Sequence, residues 1–225
     1  MEKDTLNFIR RSRLFQGLGS AEIEDLCGIA AITEKEYCRN EAIINQGEPV
    51  RKVGIIKKGS VIGIKYHFDG NTQILRIYSE GEVFLLDVVN TTLSTSPSTL
   101  TAQSDCSVVF VPFADLINSA SVSAKIKEVF LKNCSEILSN ELIRLMYKID
   151  VLSKRTLRDR ILTYLSLIRE RSGSDTFDIG MNQEQFAQYL CVNRSVLSSE
   201  LNLLRKEALI DYKGRKFTLQ DRSEK

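Results

Sequence analysis

Residues 190–207 form the most chemically suggestive stretch of the chain, because an arginine stands there among short hydrogen-bonding side chains. Leu197, Leu201 and Leu204 recur at helical spacing and predict one buried helix face. The opposite face lacks the Glu/Lys pairs that are usual on a solvated helix. It carries Asn193, Arg194, Ser195, Ser198, Ser199 and Asn202. Such a face is suited to contacting a polar partner at short range.

Two short helices and a hairpin would be needed to hold this polar helix in place. Asn182 followed by Gln185 predicts the capped start of a short helix over residues 183–190, and the turn CVN leads from it into the polar helix. Residues 208–220 contain two strand-like runs around Lys-Gly and predict a β-hairpin wing. Two helices joined by a tight turn and followed by a wing form a winged helix-turn-helix, whose second helix enters the DNA major groove.

The residue types fit roles at a DNA surface. Arg194 would stand in the first turn of the second helix, where a guanidinium can bind guanine O6 and N7 together. Asn182 could hold a phosphate with backbone N–H groups, and the wing would lie over the sugar-phosphate backbone. An exposed face without apolar residues and a basic wing favour DNA over the alternative, a protein-interaction or sensor module with a vestigial DNA-binding domain. The predicted DNA contacts are Asn182, Asn193, Arg194, Ser195, Ser198, Ser199, Asn202, Lys213, Arg215 and Lys216.

The middle of the chain changes from strand to helix patterning. Short apolar or alternating runs over residues 37–113, punctuated by glycines, predict a compact antiparallel β-roll. Residues 68–72, FDGNT, predict a hairpin turn because Asp-Gly tolerates positive φ. Residues 118–152 predict a long helix with two apolar stripes, of which one, with Phe130 and Ile137, faces the roll and the other faces a second copy of the helix. The alternative is a helix that only packs against the roll. The predicted dimer seam is Leu138, Leu142, Leu145, Ile149 and Leu152.

These elements predict an α+β fold with three parts. Residues 1–117 form an antiparallel, cupin-like β-roll that serves as the sensor domain, and residues 118–152 form the dimerisation helix. Residues 153–225 form the winged helix-turn-helix, and Thr156 with Asp159 predicts the capped start of its first helix.

Composition and charge limit the other functions. The net charge of the 225 residues is only +2, but residues 150–225 hold 14 lysines and arginines against 11 acidic residues, which weakly supports DNA contact there. We expect a cytoplasmic protein with no membrane contact, because the chain lacks a long apolar run and begins with the charged segment MEKDTLNFIRRSRLF. It contains no paired nucleophile and base and no phosphate-cradling glycine-rich loop, so we do not expect an enzyme.

Five scattered cysteines and one histidine do not indicate a metal centre. The cysteines form no C-x-x-C pair, and we interpret them as small buried thiols, with a redox switch or a metal site as the alternative. His67 precedes a turn and is interpreted as a surface residue rather than a haem or metal ligand. The cysteines are Cys27, Cys38, Cys106, Cys134 and Cys191.

The order of roll, long helix and winged helix resembles the Crp/Fnr family of bacterial transcription regulators. The resemblance covers nearly the whole chain and is carried by LFQGLGSAEIEDL, by INQGEPVRKVGIIKKGSV with Gly47, Glu48 and Gly59, and by NQEQFAQYLCVNRSVLSSELNLLRKEALI. It implies a homodimer that binds a pseudo-palindromic operator through two recognition helices. It also implies an effector signal passed from the roll through a hinge near residues 150–156, with RNA polymerase as a further possible partner.

The departures from the family pattern exclude its common effectors. Where cyclic-AMP-binding members have a glutamate, this chain has the apolar segment 84–86, and Ser96 falls at the position of the phosphate-binding arginine. No lysine or arginine occurs between Arg76 and Lys125, and a buried cyclic phosphate without a cation would be costly. No cysteine precedes Cys27, so we expect no iron–sulfur cluster. We also expect no haem, because the His or Cys ligand set of the haem-binding members has no counterpart that we can place in this sequence.

An apolar or aromatic small molecule is the remaining effector hypothesis. Its predicted pocket is Phe84, Leu85, Leu86, Ser96, Thr99, Leu145 and Met146, of which the last two align with adenine-contacting positions of the family. The recognition helix departs as well, because Ser195 and Ser199 stand where common members have Glu and a second Arg, and Cys191 replaces a frequent glycine of the turn. We therefore expect an operator unlike the familiar family sites, with a larger part for DNA shape.

Overall fold

The computed structural model describes residues 3–68, 70 and 72–220. The chain folds into two compact units, residues 1–141 and 142–225. The boundary between the units falls within a long helix, so each unit contains a part of it.

The first unit opens with helices and then forms two four-stranded antiparallel sheets, as the glycine-punctuated pattern predicts. The helices are α1 (Lys3–Arg11), a 3-10 helix (Arg13–Phe15) and α2 (Ser20–Ile29). The strands are β1 (Thr33–Tyr37), β2 (Ala42–Ile44), β3 (Lys52–Lys58), β4 (Val61–Tyr66), β5 (Thr72–Tyr78), β6 (Val83–Phe84), β7 (Thr99–Ala102) and β8 (Cys106–Pro112). The sheet orders are β1-β8-β3-β6 and β2-β7-β4-β5.

The hairpin predicted at FDGNT joins β4 to β5, which pair antiparallel from Val61–Tyr78 to Tyr66–Thr72. Gly70 has a φ of 82°, a left-handed conformation that glycine adopts without steric cost. Asp69 and Asn71 of this turn lie outside the described residues.

A close approach between β3 and β6 shapes the roll core. The ring of Phe84 lies over Gly54, and a Cβ added at Gly54 would be only 2.1 Å from the ring Cζ. Phe84 is 1% exposed and its ring also packs against the rings of Tyr78 and Phe110, at centroid distances of 5.8 and 6.2 Å. The glycine is therefore required by packing, because any side chain there would displace the ring.

An ionic cluster attaches α1 to the roll. Lys57 Nζ on β3 contacts Asp4 Oδ2 at 2.8 Å and Glu34 Oε1 at 2.9 Å. Thr5 and Ser107 both donate their hydroxyl protons to the Glu34 carboxylate. Burial alone would raise the pKa of Glu34, but the hydrogen bonds from Ser107, Thr5 and Lys57 outweigh it and lower the pKa overall.

The helical segment after β8 begins differently from the prediction. Residues 118–152 were predicted as one helix, whereas the structure has a short α3 (Phe113–Asn118), a turn, and then α4 (Ala124–Ser153). Ser123 explains the late start of α4, because its side-chain oxygen accepts a hydrogen bond from Ile126 N at 3.4 Å, as an N-cap residue does. Phe130 is fully buried in the first unit and Ile137 packs beside it, so the roll-facing stripe is confirmed.

The second unit is a winged helix-turn-helix. Its elements are α5 (Leu157–Ser172), β9 (Thr176–Asp178), α6 (Gln183–Tyr189), α7 (Arg194–Lys206), β10 (Ile210–Lys213) and β11 (Lys216–Leu219). The three strands form an antiparallel sheet with the order β10-β11-β9. Thr156 Oγ1 accepts a hydrogen bond from Asp159 N at 3.1 Å, so the predicted cap of α5 is confirmed. The fully buried core of this unit includes Val151, Ile161, Leu165, Phe186, Leu190, Leu197, Leu201 and Leu204.

Candidate DNA-binding surface

The start of α6 is held by a reciprocal capping box. Asn182 Oδ1 accepts a hydrogen bond from Gln185 N at 2.9 Å, and Gln185 Oε1 accepts one from Asn182 N at 2.9 Å. The capping role predicted for Asn182 is therefore confirmed. Because its own backbone N–H is engaged, the donor that Asn182 can offer to a phosphate is its side-chain amide NH2.

The turn between α6 and α7 depends on a non-glycine residue in a left-handed conformation. Cys191 has a φ of 57°, at the position where the resemblance led us to expect glycine. The turn is held by hydrogen bonds from Cys191 N to Gln188 O at 3.2 Å and from Val192 N to Ala187 O at 3.0 Å. Ala187 is buried, with 1% exposure, and its small side chain lets the two helices approach closely. The turn that leads into α7 therefore contains a strained backbone conformation at Cys191.

Arg194 begins α7 with its side chain exposed to solvent. Within residues 3–68, 70 and 72–220, no carboxylate forms a salt bridge with it, so its guanidinium donors are available to a ligand. Asn193 is the N-cap residue, but its side chain forms no capping hydrogen bond. Arg194 and Asn193 together present unengaged donors at the end of α7 that would enter a groove first.

The other polar residues of α7 differ in how many of their groups are free. Ser199 donates its hydroxyl to Ser195 O at 3.0 Å, so it can only accept from a ligand while that bond holds. Asn202 Oδ1 accepts from the Tyr212 hydroxyl at 3.3 Å, which ties α7 to the wing. Ser195 is exposed and Ser198 is half-buried.

The wing presents three exposed cations around a glycine turn. Gly214 has a φ of 63° and connects β10 to β11. Arg215 pairs with Asp178 at 3.4 Å, which reduces its effective charge. In the part of the chain that the structure describes, Lys213 and Lys216 form no ion pair, so they keep their full charge.

The interpretation that the exposed face of α7 lacks apolar residues is wrong. Val196 and Leu203 are 50% and 48% exposed. Val196 stands two residues after Arg194, and an apolar side chain there could contact a thymine methyl group. The sequence gives one sign of this exposure, because Val196 falls outside the spacing of the three buried leucines. We therefore add Val196 to the candidate surface.

The residues of the predicted effector pocket belong to different buried clusters and to both units. Phe84 and Leu85 belong to one buried cluster of the roll, whereas Leu86 belongs to another. Ser96 donates to Ser98 O at 2.6 Å, and Thr99 Oγ1 accepts from Gln46 N at 3.1 Å. Leu145 and Met146 lie in the second unit, exposed by 40% and 68%. Phe84 and Leu86 are core residues, exposed by only 1% and 6%. The sequence does not show this, because an apolar residue looks the same in sequence whether it lines a pocket or fills a core.

An arginine network of the first unit was missed in the sequence. Arg76 on β5 donates to Glu82 Oε1 at 2.7 Å and also pairs with Glu141 on α4. Burial raises the pKa of the nearby Asp87, and Glu141 raises it further. Arg76 is the last cation before a long uncharged or acidic segment. Because two carboxylates already hold it, it is not available for a phosphate.

The seam residues of α4 are exposed over its second half. Leu138 packs against the core of the first unit and Leu152 is half-buried, whereas Leu142, Leu145 and Ile149 are exposed by 63%, 40% and 68%. A contiguous apolar stripe of this kind is typical of a surface that another chain covers.

The cysteines divide by exposure. Cys106 and Cys134 are buried, and burial raises the pKa of Cys134 to about 12, which makes that thiol inert. Cys38 and Cys191 are exposed, so the interpretation of all five as buried thiols is wrong for these two. No group of His, Cys, Asp and Glu side chains that could hold a metal ion occurs in the described part of the chain. None of the described helices is long and apolar enough to cross a membrane.

Two family models match the two ends of the chain. Residues 34–120 match the cyclic nucleotide-binding domain, and residues 159–224 match the Crp-like helix-turn-helix domain. The chain belongs to the Crp/Fnr family. It is accordingly a DNA-binding transcription regulator, and its family and fold are those of regulators rather than enzymes.

Relatives of this Crp/Fnr chain match along most of its length. It is 23% identical over 212 residues to electron transport regulator A of Shewanella oneidensis, covering 92% of this chain and 82% of that one. The structure of FixK2 from Bradyrhizobium japonicum has a TM-score of 0.61 and 22% identity, covering 85% and 93% of the chains. The c-di-GMP-responsive regulator CLP of Xanthomonas campestris has a TM-score of 0.68 and 17% identity, covering 90% and 100%. At these identities the structures support the fold alone.

Proposed function

We propose that this Crp/Fnr regulator acts as a homodimer on a pseudo-palindromic operator, under an effector other than cyclic AMP. The observation that supports the proposed dimer most directly is the exposed apolar stripe of α4, formed by Leu142, Leu145 and Ile149. Burying a Leu or Ile side chain stabilises by about 1.5–3 kcal/mol, and a twofold axis would use each residue twice. These three residues are 40–68% exposed, so their burial at a twofold axis would stabilise a dimer.

A seam variant tests the dimer. Leu142→Glu with Ile149→Glu should raise the dimer dissociation constant by at least about a thousandfold, because it removes four burials and adds four like charges. Leu131→Glu is the matched control, since Leu131 is 44% exposed on the same helix but outside the seam. Sedimentation of all three proteins across concentration measures the effect. A wild-type chain that stays monomeric at micromolar concentration would contradict the proposal.

The DNA contacts proposed for each subunit are the predicted set with Val196 added. Arg194 would specify a base, the short side chains of α7 would let the helix sit deep, and Lys213, Arg215 and Lys216 would hold phosphates. With Ser195 and Ser199 at two base-reading positions, shape and phosphate contacts would contribute more than in common members. Selection of bound sequences from random DNA identifies the operator. The proposal also includes contact with RNA polymerase at that operator.

One substitution separates base reading from phosphate holding. Arg194→Ala should lose about 1–3 kcal/mol at one base position of each half-site and leave the other positions unchanged. Comparing the selected sequences of the two proteins measures this. Equal weakening on every sequence would make Arg194 a phosphate contact.

The effector proposed here is not a cyclic nucleotide. The segment 80–106 contains no cation, and Ser96, at the arginine position of the family, is 2% exposed and donates its hydroxyl to a backbone carbonyl. A cyclic phosphate would find no cationic partner in that segment. Calorimetry with cyclic AMP should give no heat of specific binding. Tight binding that Ser96→Ala abolishes would overturn this part of the proposal.

A further inference from the structure

The β-roll carries a groove of about 500 Å³ that shares only Leu85 with the predicted effector pocket. The groove lies between β1, β2 and the start of β3, and Leu85 forms part of its wall. Its apolar lining includes Ile43, Ile44, Leu85 and Phe110. The volume is within the range of small-molecule sites, which is roughly 300–1,000 Å³.

Three cations surround this apolar surface. Lys35, Arg51 and Lys52 line the groove and are exposed. None of them forms an ion pair with any residue among 3–68, 70 and 72–220, although Lys35 Nζ lies 4.4 Å from the ring centroid of Tyr37. The lining also includes one carboxylate, Glu34, which Lys57 already neutralises. The groove therefore combines an apolar wall with uncompensated positive charge, and its complement is an apolar body that carries an anionic group.

Leu85 is the strained residue of the groove. Its φ is 65°, a left-handed conformation that is unusual for a bulky side chain. Val88 N and Val89 N both donate to Leu85 O, at 3.3 and 3.0 Å, and hold this conformation. The next residue, Leu86, lies in the cluster that includes Cys134 and Leu138 of α4. Because one peptide unit joins Leu85 to Leu86, a change in the backbone conformation of Leu85 would shift Leu86 and its packing in the cluster that includes α4.

We propose that the groove binds an amphipathic small-molecule anion, a carboxylate or sulfonate with an apolar body. The apolar body packs against Ile44 and Leu85, and the anionic group faces Arg51 and Lys52. Binding favours one conformation of Leu85 and, through Leu86, one position of α4. This regulatory consequence rests on the function proposed above, whereas the binding itself does not.

A matched pair of fluorescent probes tests the site. The first probe is 8-anilinonaphthalene-1-sulfonate, and the second is N-phenyl-1-naphthylamine, which has the same rings without the sulfonate. The full chain should bind the sulfonate with one site per subunit and about tenfold more tightly than the neutral probe. Arg51→Ala with Lys52→Ala should lower sulfonate affinity about tenfold and leave the affinity for the neutral probe unchanged.

Lys58→Ala is the control, because Lys58 is an exposed cation at the other end of the same strand, outside the groove. All substituted residues are exposed, so the variants should keep the thermal stability of the wild type. Equal affinity for the two probes would contradict the proposed site. So would a loss of sulfonate affinity in Lys58→Ala as large as the loss in the Arg51/Lys52 variant.

A second arm tests regulation separately. The sulfonate probe should change the affinity of the wild-type protein for its selected operator by at least threefold and should leave the Arg51/Lys52 variant unaffected. A bound probe with no effect on operator affinity overturns the regulatory consequence and leaves the site intact. Because the probe titration contains no DNA, failure of the proposed operator binding cannot be mistaken for failure of the site.

Discussion

The packing of Phe84 over Gly54 yields a sharp prediction about Gly54→Ala. The new Cβ would lie 2.1 Å from the ring Cζ, whereas non-bonded carbons prefer about 3.5–4.0 Å, so the ring must retreat by about 1.4 Å or more. The rings of Tyr78 and Phe110 limit that retreat. Overpacking costs about 1–3 kcal/mol, and replacing a strand glycine returns about 0.5–1 kcal/mol. We expect a net loss of about 1–2 kcal/mol.

A compensating substitution makes the reasoning refutable. Phe84→Leu alone should lose about 1–2 kcal/mol, because it leaves a cavity in the core. In the Gly54→Ala background, the smaller side chain should be tolerated better, with a coupling of about 1 kcal/mol or more. Hydrogen–deuterium exchange in urea measures this in peptides of β3, while peptides of α7, in the other unit, should be unchanged. Additive losses, or a harmless Gly54→Ala that lets the ring swing into an empty pocket, would refute the packing argument.

Three further variants test other parts of the chain. Cys191→Gly should stabilise the second unit by about 0.5–1 kcal/mol in thermal unfolding, because it relieves a left-handed non-glycine residue; a loss of stability would contradict this. Glu34→Gln should lose about 1–2 kcal/mol at neutral pH. The hydrogen bonds from Ser107, Thr5 and Lys57 lower the pKa of Glu34 below 4.5. The stability difference should therefore be complete above pH 4.5 and disappear as the pH falls through the lowered pKa; a difference that persists in acid would contradict the assignment. Lys213→Ala with Lys216→Ala should weaken DNA binding equally on all sequences. The slope of log binding constant against log salt concentration should become shallower by about 0.9 for each phosphate contact that is lost. An unchanged salt slope would exclude the wing from the interface.

The parts of the fold that follow from local patterns were predictable from the sequence. The capping pairs at Asn182 and Thr156 fix helix starts through hydrogen bonds between residues three apart, and the hairpin at Gly70 follows from turn chemistry. The start of α4 was predicted too early because residues 119–123 are compatible with a helix. Only the side-chain bond to Ser123 sets the boundary.

The parts that depend on long-range contacts were not predictable. Arg76 and Glu141 are far apart in sequence, so no spacing signals their ion pair. Phe84 was assigned to a pocket because apolar residue types do not distinguish a cavity wall from a core. The half-exposed Val196 lies beside a buried position of α7, and only the helix's orientation in the fold decides its exposure.

The central claim is that two twofold-related chains present Arg194 and its neighbours to successive turns of one DNA duplex. Inserting five base pairs between the half-sites of the selected operator tests it most directly, because this turns one half-site by about half a helical turn of 10–10.5 base pairs. The account predicts two chains per duplex on the original operator, loss of specific binding after a five-base-pair insertion, and partial recovery after ten. One chain per duplex, with an affinity that the insertion does not change, would contradict it.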